Sequence, residues 1–220
     1  TPGELNQPIG PEILDVKHSW QNDDPAEAWT VTAKVQQVMA PIDTVELHYR
    51  VMFEDELTVA MVDDGTGGDA VSGDGVYTGA IPAGVAQPGE MLRYYVTASD
   101  SLELNGRNPI FANEDKSPEY YGTMIPDPSV ESTLPVLYRF TEEARRADSS
   151  RGTRTSVYYD GEFYDNAFIR IRGGTARNWP KKAYKIEFND DHHFRFRDDV
   201  ERRASRSHSQ GPNQHLHPRR

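Results

Sequence analysis

Residues 45–51 read VELHYRV, with Val45, Leu47, Tyr49 and Val51 on one side of an extended chain and Glu46, His48 and Arg50 on the other. Successive side chains of a β-strand point to opposite faces, so this run buries one face and leaves the other in water. The same period recurs on both sides of it. Trp29, Val31, Ala33 and Val35 alternate with Thr30, Thr32 and Lys34, and Leu92, Tyr94, Val96 and Ala98 alternate with Arg93, Tyr95, Thr97 and Ser99. Between these runs lie turn signals: Ala40-Pro41, the glycine-rich stretch 63–75, Pro88-Gly89 and Asn105-Gly106. Short alternating segments separated by Gly, Pro and Asn predict a sandwich of antiparallel strands over residues 10–122.

Three prolines, Pro126, Pro128 and Pro135, then mark residues 123–134 as an extended linker, because proline lacks a backbone donor and restricts its predecessor. Beyond it, Phe140 to Asp148 reads as a short helix with Thr141 as N-cap and Glu142 and Glu143 in its first turn. Val157–Tyr159, Phe163–Arg172, Ala183–Phe188 and His193–Arg197 read as strands, with Asp160-Gly161 and Asn189-Asp190 as turns. Residues 135–199 are therefore expected to be α+β. Residues 201–220 hold five Arg, three His and no aromatic or β-branched side chain, which predicts a disordered tail from about residue 200. The pattern stops after Asp199, as a truncated or frame-shifted reading would make it stop, and the chain is read as a fragment.

The 220 residues carry a net charge of -11. Residues 1–134 have 6 Lys/Arg against 23 Asp/Glu, and residues 135–220 have 18 against 12. An acidic front half repels nucleic acid and anionic lipid, so no nucleic-acid partner is expected. No apolar run of about 20 residues is present to span a bilayer, so membrane insertion is not expected either. With no cysteine there is no disulfide, thiolate metal site or cysteine nucleophile.

Two stretches carry chemistry. In residues 63–83, DDGTGGDAVSGDGVYTGAIPA, the carboxylates of Asp63, Asp64, Asp69 and Asp74 lie close together in a loop that glycines allow to turn sharply. Such oxygens suit a hard cation such as calcium, although the spacing is not that of an EF-hand. The alternative is a structural loop in which each Asp caps nearby backbone N–H groups. In residues 159–190, YDGEFYDNAFIRIRGGTARNWPKKAYKIEFND, a strand ends in Arg172-Gly173-Gly174-Thr175, and Pro180-Lys181-Lys182 leads into a second strand carrying Tyr184, Ile186 and Phe188 on one face. Glycines after a strand let backbone N–H groups approach phosphate oxygens, and a lysine on the next strand can neutralise their charge. Gly173, Gly174 and Thr175 are the candidate phosphate loop, and Lys182 or Lys185 the candidate cation. Either lysine also reads as a solvated strand-edge charge.

The second stretch resembles the opening of the CotH (spore-coat) kinase family, over roughly Leu134 to Arg197. The first, through Gly68-Asp69, Gly73-Asp74-Gly75-Val76-Tyr77 and Ile81-Pro82, resembles the Ig-like or fibronectin type III-like domains that precede CotH domains in large secreted bacterial proteins, often beside lamin-tail domains. The resemblance implies a mainly β chain: an Ig-like antiparallel β-sandwich followed by an incomplete kinase-like N-lobe. It implies a secreted or cell-surface bacterial location, and ATP and Mg as cofactors of a full-length parent that phosphorylates Ser or Thr of an extracellular or coat protein. The carboxylates that would hold Mg and orient the nucleophile come from the part that follows the first lobe, so no transfer is expected of this chain. The strand faces around Ile169, Ile171 and Ile186 are expected to lack cover. The other reading is a non-catalytic surface module whose sandwich serves as a spacer or makes cell-surface or glycan contacts.

Overall fold

The computed structural model describes residues 9–19, 28–173, 180–190, 192–196 and 202–203. The chain divides into two compact units, Thr1–Pro109 and Ile110–Arg220, a division that falls ahead of the proline-marked segment. Both are built from antiparallel sheets, and the chain is mainly β.

In the first unit, Glu12–Ser19 (β1), Trp29–Gln36 (β2) and Val76–Ile81 (β5) form one sheet in the order β1-β2-β5. Ile42–Val51 (β3), Leu57–Ala60 (β4), Met91–Asp100 (β6) and Asn105–Asn108 (β7) form a second in the order β4-β3-β6-β7. The inward sets are those that alternation requires: Trp29, Val31, Ala33 and Val35 from one sheet, and Val45, Leu47, Tyr49, Val51, Leu92, Tyr94, Val96 and Ala98 from the other, are all buried. The sheets pack face to face, consistent with a β-sandwich. A Cβ added to Gly79 on β5 would lie 2.9 Å from Met61 Cγ and 3.3 Å from Leu47 Cδ2, so glycine there lets the layers meet. His18 of β1 spans the same gap, its Nδ1 2.7 Å from the Tyr94 hydroxyl, and burial holds its pKa below the ordinary histidine value.

Two readings in this unit are corrected. Arg93, assigned to the wet face, is buried: its guanidinium donates to the Met52 carbonyl at 2.5 Å and lies over the Phe53 ring, so the charge is partnered within the protein. Asn105-Gly106 is not a turn but part of β7. The reversal comes earlier, where Asp100 Oδ1 accepts the N–H groups of Leu102 and Leu104 and Glu103 adopts a φ of 61°. Gly106 is required for a different reason, since a Cβ there would sit 2.0 Å from the Pro11 carbonyl oxygen.

In the second unit Tyr121–Met124 (β8) is followed by Leu137–Phe140 (β9), the single-turn helix Ala144–Ala147 (α1), Thr153–Tyr159 (β10), Glu162–Arg172 (β11) and Ala183–Glu187 (β12). The antiparallel sheet runs β12-β11-β10-β9. Asp160 and Gly161, with φ of 50° and 84°, make the two-residue turn that the Asp-Gly pair predicts between β10 and β11. Arg195–Phe196 (β13) pairs with Arg202–Arg203 (β14), so two residues of the expected disordered tail are in a ladder; the rest of that tail lies outside the described residues.

The helix is shorter than expected because Phe140 belongs to β9. Thr141 does not cap it, its hydroxyl instead bonding the Thr155 hydroxyl at 2.8 Å, and Glu143 takes the N-cap position without a side-chain bond. With one helical turn among the described residues, the expected α+β character is not displayed. Asn189, read as a turn residue, is buried and donates to the Asp165 carbonyl. The sheet also has its own cover: Ile169, Ile171 and Ile186 are buried, and Ile169 and Ile186 cluster with Ala147, Phe188 and Phe194, which corrects the expectation of a bare apolar face.

A β-bulge interrupts β11. Thr155 pairs with Ala167 and Val157 with Tyr164, so Asp165 and Asn166 together oppose Ser156. Asn166 takes a φ of 51° there. Both polar side chains reach the segment ahead of β8. Asp165 Oδ2 accepts the N–H groups of Glu119 and Tyr120, and Asn166 Nδ2 donates to the carbonyls of Glu114 and Ser117.

Candidate functional sites

The aspartate loop closes between β4 and β5. Asp63 Oδ1 accepts the N–H groups of Gly73 (2.7 Å) and Asp74 (3.2 Å), and its Oδ2 accepts that of Gly75 (2.9 Å). Asp69, buried, accepts the Gly65 N–H at 2.6 Å. Asp74 accepts the Val76 N–H at 2.9 Å. Gly65, Gly67, Gly68, Gly73 and Gly75 all have positive φ, which is why this loop is rich in a residue without a Cβ. Each carboxylate thus does the backbone-capping work of the structural reading.

Three of them also converge. Oxygens of Asp63, Asp69 and Asp74 lie within 4.8 Å of one another, a set that could hold a hard cation. Asp64 does not join them: it accepts the Thr66 N–H and hydroxyl, and these bonds hold its carboxyl below the usual carboxylate range. Of the four aspartates singled out in the sequence, three therefore form a group and one stands outside it.

The second candidate site lies at the β11–β12 hairpin. Arg172 pairs with Ala183, so Gly173, with a φ of 90°, and Lys182 stand at the mouth of the hairpin. Gly174 and Thr175 lie outside the described residues. The Lys182 ammonium forms an ion pair with Asp148, the residue that ends α1, and the Tyr184 hydroxyl donates to the other oxygen of the same carboxylate. The hydrogen bond from Lys182, then that from Tyr184, holds Asp148 below the usual carboxylate range, and reciprocally raises Lys182. Arg139 lies over the Tyr184 ring with 4.4 Å to the centroid. Lys185 makes a more local pair, with Glu187 two residues along its own strand. Asp148 was not picked out from the sequence: it lies 34 residues from Lys182, and only the packing of α1 beside β11 and β12 brings it there.

A third grouping gathers around Tyr164 of β11. His192 stacks on Tyr164 with 4.5 Å between ring centroids, and its Nε2 lies 3.0 Å from Glu162 Oε1. Tyr164 accepts the Arg195 N–H at 2.9 Å and donates to Glu162; burial, before anything else, raises its phenol well above the ordinary value. Burial also pushes the Glu162 carboxyl up, but the bonds from His192 and Tyr164 outweigh it and hold the group below its usual range. His192 is engaged with a carboxylate rather than with His193.

Comparison with family models, with curated proteins and with solved structures returned no match to the chain. Among the described residues no helix is long and apolar enough to cross a membrane.

Proposed function

We propose that the second unit is the nucleotide-positioning sheet of a secreted CotH-type protein kinase, that Lys182 rather than Lys185 is its phosphate-facing lysine, and that this chain alone transfers no phosphate. The observation that carries the reading is the Lys182–Asp148 pair, with Tyr184 on the same carboxylate. Protein kinases orient a strand lysine by pairing it with a carboxylate from a helix, so that its charge is aimed at the α- and β-phosphates. Lys182 has such a partner at the end of α1 and stands beside Gly173 at the hairpin mouth. Lys185 is occupied along its own strand.

The test uses a fluorescent ATP analogue with Mg and the whole chain. Lys182→Ala is expected to weaken binding about tenfold, the value of one charged hydrogen bond, and Lys185→Ala to leave it unchanged. Labelled-ATP transfer to casein is expected to be at background. Binding insensitive to Lys182, or transfer above background, would overturn the reading.

A second reading, a calcium-dependent surface spacer or adhesion module, is favoured by one observation, the convergence of Asp63, Asp69 and Asp74 oxygens within 4.8 Å. Three carboxylates so close repel one another, and a divalent cation would relieve that repulsion.

A further inference from the structure

The face of the β12-β11-β10-β9 sheet that turns away from its apolar cluster carries Arg154, Arg170, Arg172 and Lys185. Ile169 and Ile171 are buried on the cluster side, so strand parity puts Phe168, Arg170 and Arg172 on the other. The ladder sets Arg154 of β10 and Glu187 of β12 on either side of Phe168, and Lys185 directly opposite Arg170. Part of this charge is answered locally: Lys185 pairs with Glu187, and Arg154 pairs with Asp115 and lies over the Phe168 ring at 5.7 Å from its centroid. Among the described residues neither Arg170 nor Arg172 has a carboxylate partner. Arg172 is exposed and Arg170 half-buried. Arg170 also faces Lys185 across the ladder, a like-charge neighbour that lowers stability. Tyr184, which shares Asp148 with Lys182, stands opposite Ile171 and so on the cluster side. The basic face is therefore separate from the candidate phosphate site and does not depend on how that site is read.

We propose that this face binds an extended acidic peptide, with the carboxylates of two alternate residues on Arg170 and Arg172. Positions i and i+2 of a strand are about 6.8 Å apart, and a peptide in the same extended conformation repeats its side chains at the same interval. Each guanidinium offers a planar fork that one carboxylate fills with two parallel hydrogen bonds. An anion beside Arg170 also relieves its repulsion with Lys185. The surroundings favour a short ligand over a long polyanion such as nucleic acid. Glu187 and Asp115 stand at the Phe168 end of the face, and the chain as a whole carries a charge of -11, so negative charge beyond the two arginines is repelled.

Titration of the whole chain at low salt with acetylated, amidated pentapeptides tests this, read from the Nε–H resonances of Arg170 and Arg172. Ala-Glu-Ala-Glu-Ala is expected to shift both at millimolar concentration, and Ala-Gln-Ala-Gln-Ala to bind about fivefold more weakly. Ala-Glu-Glu-Ala-Ala, with the same charge but its carboxylates on opposite sides of an extended chain, should fall between them. Arg170→Gln with Arg172→Gln should remove the preference for glutamate while leaving the amide resonances of Ile169 and Ile171 in place, and Arg172→Gln alone, at an exposed side chain, should reduce it. Equal binding of the glutamate and glutamine peptides, an unchanged preference in either variant, equal binding of the two glutamate spacings, or tighter binding of a five-residue oligothymidylate than of Ala-Glu-Ala-Glu-Ala would each overturn the proposal.

Discussion

Asp165 Oδ2 accepts the backbone N–H of Tyr120 at 2.9 Å, across 45 residues of sequence, while its Oδ1 accepts the Ser156 hydroxyl at 2.8 Å. The carboxylate is buried, and with the Glu119 N–H it satisfies three donors from two separate segments. Asp165→Ala leaves those donors without their acceptor in a place water does not reach. The second unit is expected to lose about 2–4 kcal/mol of stability. Urea unfolding monitored by hydrogen exchange at Tyr120 and Val157 checks this, and a loss under about 0.5 kcal/mol would show the carboxylate to be dispensable.

Gly106→Ala places a methyl group 2.0 Å from the Pro11 carbonyl oxygen, with backbone on both sides of the clash. Strand β1 or β7 has to move, and the cost is expected to be about 3 kcal/mol or more. Gly67→Ala is the useful comparison: it has open space at the Cβ and a φ of 62°, so it tests backbone strain without a clash. Its cost is expected to be nearer 1 kcal/mol. Thermal melts of the two variants should rank in that order.

Asp63 caps three N–H groups whether or not a cation is present. Asp63→Ala is therefore expected to cost the first unit about 1–3 kcal/mol in EDTA. On the calcium reading, 5 mM calcium adds stability to the unaltered chain by mass action, about 1–2 kcal/mol for a site of sub-millimolar affinity. Asp69→Ala with Asp74→Ala should abolish that increment. A melting temperature identical in EDTA and calcium would leave the carboxylates with their backbone role alone.

Glu162 makes the second unit acid-sensitive. Its folded pKa is below the unfolded value, so the stabilisation is present above about pH 4.3 and is lost as pH falls through the lower, folded value. Glu162→Gln is expected to flatten the stability profile between about pH 5 and 3 and to leave the slope above pH 6 to other groups. Carboxyl-carbon NMR titration of Glu162 should give a midpoint below that of an ordinary glutamate. A midpoint above it would mean that burial outweighs the bonds from His192 and Tyr164.

The inward faces of β2, β3 and β6 were legible because one-sided burial imposes a period of two on the residues themselves. What escaped was non-local. Nothing in the neighbourhood of Arg93 announces the Met52 carbonyl and Phe53 ring that receive it. Gly106 resembled a turn residue because the close approach of Pro11 comes from a segment far away in sequence. In the second unit Phe140 was absorbed into a helix signal from Glu142 and Glu143 and the three residues before it were given no element, whereas pairing with β10 fixes Leu137–Phe140 as a strand. The aspartates of the 63–75 loop were recognisable because their glycine partners are nearby, while the division of labour between Asp64 and the other three depends on where Thr66 sits. For Lys182 the residue type was readable and its partner Asp148 was not.

The bulge at Asp165 and Asn166 has a consequence for how β11 tolerates change. Tyr164 lies in the same apolar cluster as Ala167 and Ile169, although its position has the opposite parity to theirs. Only the unpaired residue between them reconciles the two. β11 is in effect two short strands of opposite parity spliced at one point. Deleting Asn166 would make the spacing regular and still leave Tyr164, Ala167 and Ile169 on one face, so the loss would fall on the bonds that Asn166 makes to the Glu114 and Ser117 carbonyls. Within either half, a change of length keeps both faces in register only if it is even.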